Sequence, residues 1–173
     1  LKYSPKYAEA ASHLLTVSEF SKKDIIDTYG ISSDKISVVY NGASEAFSPI
    51  SEKEQQEVRN IYTGGAPFFH FVGAIHPRKN ITSILKAFDA FRASVGESVK
   101  LLLVGRKGWK YEDALQVYEQ MAHKEEVIFT GFVSDEELKK IYGASLALCY
   151  VPVFEGFGIP ILEAMQAETA VIA

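Results

Sequence analysis

The sequence predicts an α/β protein built on a Rossmann-like, doubly wound parallel sheet. Two observations carry this prediction. Four short runs, "FFHFVGAI" (68–75), "VKLLLVG" (99–105), "VIFTG" (127–131) and "SLALCYV" (145–151), are apolar almost without interruption. A strand apolar on both faces belongs in a parallel sheet covered by helices on both sides. Between the runs lie stretches of helical periodicity, and each run leaves through a turn that has glycine within or just before it and opens a helix. Such a β-α-β alternation winds into one sheet, and ligands on that sheet sit beyond the carboxyl ends of its strands.

The elements follow in order. "SHLLTVS" (12–18) reads as a short strand, and "EFSKKDIIDTYG" (19–30) as a helix with Phe20, Ile25 and Ile26 on its apolar face. Gly30 stands where a C-terminal stop belongs. "KISVVYNG" (35–42) is a strand closed by an Asn-Gly turn. "ASEAFSPISEKE", rich in small and polar residues and containing proline, is the best linker, and "EKEQQEVRNIY" (52–62) is a mostly polar helix. The helices between the four runs are 80–94, 111–123 and 134–144. Ser134 with Glu137 three residues on is a capping box that starts the last of them. The closing "VIA" reads as a buried fifth strand, so a chain ending there is expected to be an excised piece of a longer protein.

Composition sets outer limits. The 173 residues are 47% hydrophobic and 23% charged, enough for one full core. A net charge of -4 leaves no broad footprint for nucleic acid, so any anion site is local. The single cysteine, Cys149, lies in an apolar run and has no partner for an internal disulfide, which points to an intracellular or cytosol-facing chain. No apolar run approaches the roughly 18 residues that span a bilayer, and residues 1–12 hold no signal-peptide core.

Several chemistries lack their signatures. "VGRKGW" offers only Gly105 and Gly108 of a dinucleotide fingerprint, and there is no phosphate-binding P-loop. There is no Asp-x-Asp pair and no His/Cys cluster, so a metal is not indicated. His13 and His70 fall within strand patterns and read as packed histidines. Phe88 and Phe91 read as core, and Trp109 could cover a base or only the core edge.

Two stretches carry positive signals. In "HPRKN" (76–80), Arg78 and Lys79 lie just before a helix, whose N-terminus adds free N–H groups and partial positive charge suited to a diphosphate. Taken alone, the two read as an ordinary solvated pair. In "VFEGFGIPILEAMQ" (153–166), Gly156 and Gly158 let backbone approach a ligand, Pro160 suits a first helical turn, and Glu155 and Glu163 flank them. Singly, Glu155 reads as a helix-dipole partner and Glu163 as an exposed helix residue. Those readings leave the coincidence of two glycines and two acids unexplained.

With these motifs, the chain resembles the C-terminal, nucleotide-sugar-binding half of the retaining GT-B glycosyltransferases of glycosyltransferase family four (group 1). The resemblance rests on Glu155 and Glu163 within "EGFGIPILEAM", and on "VSEFSKKDI", "KISVVYNGASEAFSP", "FFHFVGAIHPRKNITSILKAF", "LLLVG" and "VIFTGFVSDEELKKIY" in that order. It implies that Arg78 and Lys79 hold the donor diphosphate, Glu155 the donor hexose and Glu163 the ribose hydroxyls. Backbone of Phe157, Gly158 and Ile159 would contact sugar and phosphate, main chain near Phe132 and Val133 the base, and Gly73 would lead into the phosphate loop. His76 falls in that loop without an assigned role. The chain departs from the family pattern at Ala74, where arginine is usual, at Val151-Pro152, at "ETAV" (168–171) and at Asn41-Gly42-Ala43-Ser44.

The resemblance further implies that residues 1–50 end an N-terminal acceptor domain and include the interdomain linker, and that residues 51–173 are the donor domain, incomplete at its C-terminus. The expected activity is metal-independent transfer of a hexose, of mannose or glucose type, from a GDP- or UDP-sugar to a glycan or lipid-linked acceptor. The acceptor would be held by the absent N-terminal domain, and this chain by itself would not turn over. No cofactor or nucleic acid is implied, and the location expected is the cytoplasm or, by peripheral association, the inner membrane face. A non-catalytic nucleotide-sugar-binding module is the alternative; a Rossmann dehydrogenase is opposed by the missing glycine fingerprint.

Overall fold

The computed structural model describes residues 3–106, 108 and 111–173. The chain forms two compact units, residues 1–42 with 155–159, and residues 43–154 with 160–173.

In the first unit, α1 (Ser4–Ala10) precedes β1 (Leu14–Thr16), α2 (Glu19–Tyr29) and β2 (Ile36–Val38). Helix α1 falls where no element was expected; Pro5 sits in its first turn, where a missing N–H costs nothing. β1 and β2 pair in parallel, Leu14 opposite Ile36. Ser18 caps α2 by accepting from the Ser21 amide at 3.0 Å, and Gly30 stops it in the left-handed conformation (φ 66°). Ile25 and Ile26 pack against Ile31 and Ile36, whereas Phe20 is exposed, so the helix's buried face is narrower than expected. No turn forms at Asn41-Gly42, because a parallel partner requires β2 to run on rather than fold back. His13 is exposed, its Nε2 2.9 Å from Ser37 Oγ, and is not the packed histidine expected.

The second unit alternates α3 (Glu52–Thr63), β3 (Phe68–Val72), α4 (Ile81–Ser94), β4 (Lys100–Val104), α5 (Glu112–Gln120), β5 (Val127–Gly131), α6 (Asp135–Ala144), β6 (Ala147–Cys149) and β7 (Ala170–Ile172); α7 (Ile159–Gln166) joins the last two strands. The sheet is parallel throughout, in the order β5-β4-β3-β6-β7. Leu101, Leu102 and Leu103 are successive and all buried, as a strand covered on both faces requires. The Ser134–Glu137 capping box is present, and Ser51 with Glu54 makes a second one on α3. The expected linker is partly packed. Phe47 is buried with its ring edge-on to Tyr142 at 5.2 Å, and Ile50 lies where a Cβ on Gly143 would come within 2.8 Å. The closing strand β7 is paired with β6, with Val171 half-buried and Ala170 and Ile172 exposed, less covered than the buried strand expected. Among the described residues, no helix is long and apolar enough to cross a membrane.

Candidate functional site

In the second unit the strand order reverses between β3 and β6. In an open α/β sheet, the crevice at that reversal, beyond the carboxyl ends of the strands, is where ligands bind. The turns leaving β3 and β6 flank it, and they are the ones that carry "HPRKN" and the start of "VFEGFG".

The β3 turn is built on close backbone approach. Gly73 (φ 138°) donates its N–H to Val104 O at 2.9 Å. A Cβ on neighbouring Gly105 would meet the Gly73 carbonyl oxygen at 2.1 Å, so both positions need glycine. Pro77–Lys79 then form a 3-10 turn, with His76 Nδ1 accepting from the Arg78 amide at 3.2 Å and Asn80 left-handed at φ 57°.

This turn is tied to the one leaving β6. Val153 N–H donates to Arg78 O at 3.0 Å, and Arg78 Nη1 donates to Phe154 O at 3.0 Å. Asn80 Nδ2 donates to Val151 O at 3.0 Å. Lys79 Nζ donates to the Tyr150 hydroxyl at 3.2 Å and lies 5.0 Å from the centre of that ring. Arg78 and Lys79 are therefore anchored cations, not a loose surface pair. Asn80, Tyr150 and the backbone of 151–154 do the anchoring, and only Asn80, inside "PRKN", had a sequence cue.

Glu163 lies one turn into α7 and is half-buried. Its Oε2 accepts a 2.7 Å hydrogen bond from the hydroxyl of Tyr142, whose side chain is fully buried. Burial, reinforced by the Glu163 hydrogen bond and charge, raises the Tyr142 hydroxyl well above its ordinary pKa, so it remains a donor. Sequence reasoning found the acid and missed the tyrosine. Val133 is half-buried against the core before the α6 capping box, and Phe132 is 85% exposed.

The remaining expected residues, Glu155 to Ile159, group with the first unit. There the Gly156 carbonyl accepts from the hydroxyls of Ser18 and Ser21. A Cβ on Gly156 would sit 3.0 Å from Ser21 Oγ, and Gly158 is left-handed at φ 94°. The Phe157 ring lies 6.3 Å from that of Tyr40, and Glu155 is half-buried. In the sequence Ser18 reads as the end of the strand 12–18 and Ser21 as part of the helix after it, both within "VSEFSKKDI", and neither carries a cue to Gly156. Trp109 lies outside the described residues.

Against this geometry stand three kinds of likeness. A family model described as glycosyl transferases group 1 matches residues 50–173. The chain is 31% identical over 165 residues to the O-antigen chain mannosyltransferase B of Escherichia coli, covering 95% of this chain and 43% of that protein. It is 37% identical over 161 residues to the O-antigen chain mannosyltransferase RfbU of Salmonella typhimurium, covering 92% and 41%. The chain thus spans less than half the length of these curated relatives. Among solved structures, Anabaena HepE in complex with UDP-glucose superposes with a TM-score of 0.81 at 19% identity, covering 98% of this chain and 49% of that one. WaaG, a glycosyltransferase involved in lipopolysaccharide biosynthesis, superposes at 0.76 with 18% identity, covering 91% and 42%. These superpositions show the shared fold, the Rossmann-like sheet of a GT-B half.

Proposed function

The chain belongs to the group 1 glycosyl transferases, and from that premise we propose that it is the donor-binding part of a retaining, metal-independent hexosyltransferase of family four. Its donor is a GDP- or UDP-sugar, and the hexose is mannose, as the names of the O-antigen relatives suggest. The acceptor is a glycan or lipid-linked sugar held by an N-terminal domain. Residues 1–50 belong to the end of that domain and its linker, and residues 51–173 to the donor domain. The observation that supports this reading is the fastening of the β3 and β6 turns at the strand-order reversal, with Arg78 and Lys79 among the residues that fasten them.

The roles follow from the chemistry. As the glycosidic C–O bond breaks, negative charge develops on the departing diphosphate. Arg78 and Lys79 stabilise it with charge-assisted hydrogen bonds, the task a metal ion serves elsewhere. Gly73 allows the phosphate turn to form beside them. A carboxylate is the natural acceptor for two ribose hydroxyls, which suits Glu163. The other assignments rest on resemblance alone: main chain at Phe132 and Val133 to the base, the 157–159 turn to the sugar, and Glu155 to the hexose. At Glu155 a carboxylate would steady positive charge at the sugar carbon.

Calorimetry of the natural full-length protein with GDP-mannose, UDP-glucose and the free diphosphates, with a transfer assay on lipid-linked glycan, tests the proposal. Binding of one nucleotide sugar with transfer is expected. Binding without transfer would leave a nucleotide-sugar-binding module, and no binding of either class would refute the donor site.

A further inference from the structure

We propose that Tyr142 is a positioning residue for nucleotide binding, its phenolic hydroxyl holding the Glu163 carboxylate in the orientation that receives the ribose. The proposal rests on the reading of Glu163 as the ribose acceptor.

The topology brings the two residues together. The β5-to-β6 and β6-to-β7 connections cross the sheet in the same direction. Right-handed crossovers therefore place α6 and α7 on the same face, and Tyr142 on one reaches Glu163 on the other. The tyrosine is held in place on every side. Its side chain is wholly buried, with Phe47 edge-on at 5.2 Å and His70 edge-on at 4.5 Å. Its backbone carbonyl accepts from Thr169 Oγ1 at 2.7 Å.

A ring so confined fixes the position of its hydroxyl oxygen. A buried hydroxyl requires an acceptor, and here the acceptor is the side chain of Glu163. A glutamate has three rotatable bonds and loses that freedom when it binds a ligand. Accepting from Tyr142 removes the freedom before any ligand arrives. The hydrogen bond uses one lone pair of Oε2 and leaves the other, together with both lone pairs of Oε1, for two hydroxyl donors. The arrangement serves ribose in particular, because a diphosphate offers a carboxylate no donor at neutral pH.

The discriminating readout is the ratio of affinities for a ribonucleotide and its 2′,3′-dideoxy form. The probes are GDP, UDP and their dideoxy analogues, titrated into the natural full-length protein and its Tyr142→Phe and Glu163→Gln variants. Tyr142→Phe is expected to weaken ribonucleotide binding about three- to tenfold, the range set by one side chain's lost order. Dideoxynucleotide binding should stay unchanged. A merely structural role would weaken both forms alike, and that result overturns the proposal. If the wild type shows no ribose preference, or Glu163→Gln keeps it, the reading of Glu163 fails and takes the proposal with it. If Glu163→Gln loses the preference and Tyr142→Phe keeps it, only the role of Tyr142 falls. Should Tyr142→Phe fail to fold, 4-fluorophenylalanine in place of Tyr142, close in size and unable to donate, gives the same test. The control Phe47→Leu, which loosens the same packing, should lower Tm and leave the ratio intact.

Discussion

His70 provides a test of the core beneath the candidate site. It lies in the central strand β3, fully buried; among the described residues neither ring nitrogen makes a hydrogen bond of good geometry, and a weak contact with the Ala147 backbone offsets only part of the effect of burial. Burial lowers its pKa from 6.5 to about 3. The native ring is therefore neutral at any ordinary pH, while the unfolded ring takes a proton below its own pKa. The sign follows directly: stability is full above about pH 6.5 and is lost as pH falls, until the folded pKa is reached. Between about pH 7.5 and pH 5 the loss is about 2 kcal/mol, from 2.303RT times the difference in proton uptake. This figure is set almost wholly by the unfolded side chain, because any folded pKa well under 5 gives the same result. Other groups titrate too, so the quantity to measure is a double difference. Urea unfolding of wild type and His70→Leu, followed by circular dichroism at both pH values, should show the wild type losing about 2 kcal/mol more than the variant. That is near 1 M in midpoint for a typical urea slope of about 2 kcal/mol/M. A double difference below about 0.5 kcal/mol would refute the reasoning, since it falls within ordinary non-additivity. It would mean that the ring keeps water or a hydrogen bond in the folded state.

Arg78→Ala or Lys79→Ala should weaken nucleoside diphosphate binding by about 1.5–3 kcal/mol while barely touching the nucleoside, because a charge-assisted contact is lost; equal losses for both ligands would end their diphosphate role. Donor binding and transfer by the full-length protein should survive EDTA, as expected from a sequence with no Asp-x-Asp pair; activity abolished by EDTA and restored by Mn²⁺ would reverse the assignment of the two cations. Glu163→Gln should mainly raise the donor KM, because its contact is present equally before and at the transition state. Glu155→Gln should lower kcat with less change in KM, because charge grows at the sugar only as the bond breaks; the opposite pattern would exchange the two roles.

What could be read in advance depended on the distance over which each residue is explained. The strand runs were legible because a parallel strand covered on both faces reads as a near-continuous apolar run, as Leu101 to Leu103 do in β4; His70 in β3 and the half-covered β5, where Phe129 is exposed, depart from that rule. Ser134 with Glu137, and Gly30, were legible because caps act within three or four residues. The Asn-Gly at 41–42 misled for the same reason: its local preference for a hairpin carries no information about a parallel partner. The residue types of the candidate site were legible too, since cations, acids and glycines announce their chemistry. Their fastening was not. Arg78 meets Phe154 across 76 residues, and Ser18 meets Gly156 across 138. Tyr142 lies between the two kinds of residue. In "KKIYGAS" it falls on the apolar face of a helix beside Ile141, and a phenylalanine would satisfy that periodicity equally well. A tyrosine at a buried position implies a buried acceptor, because an unpaired hydroxyl there costs about 1–3 kcal/mol. Helical periodicity thus places the demand for an acceptor at Tyr142. Only the sheet order, which sets α7 beside α6, makes Glu163 the residue that meets it.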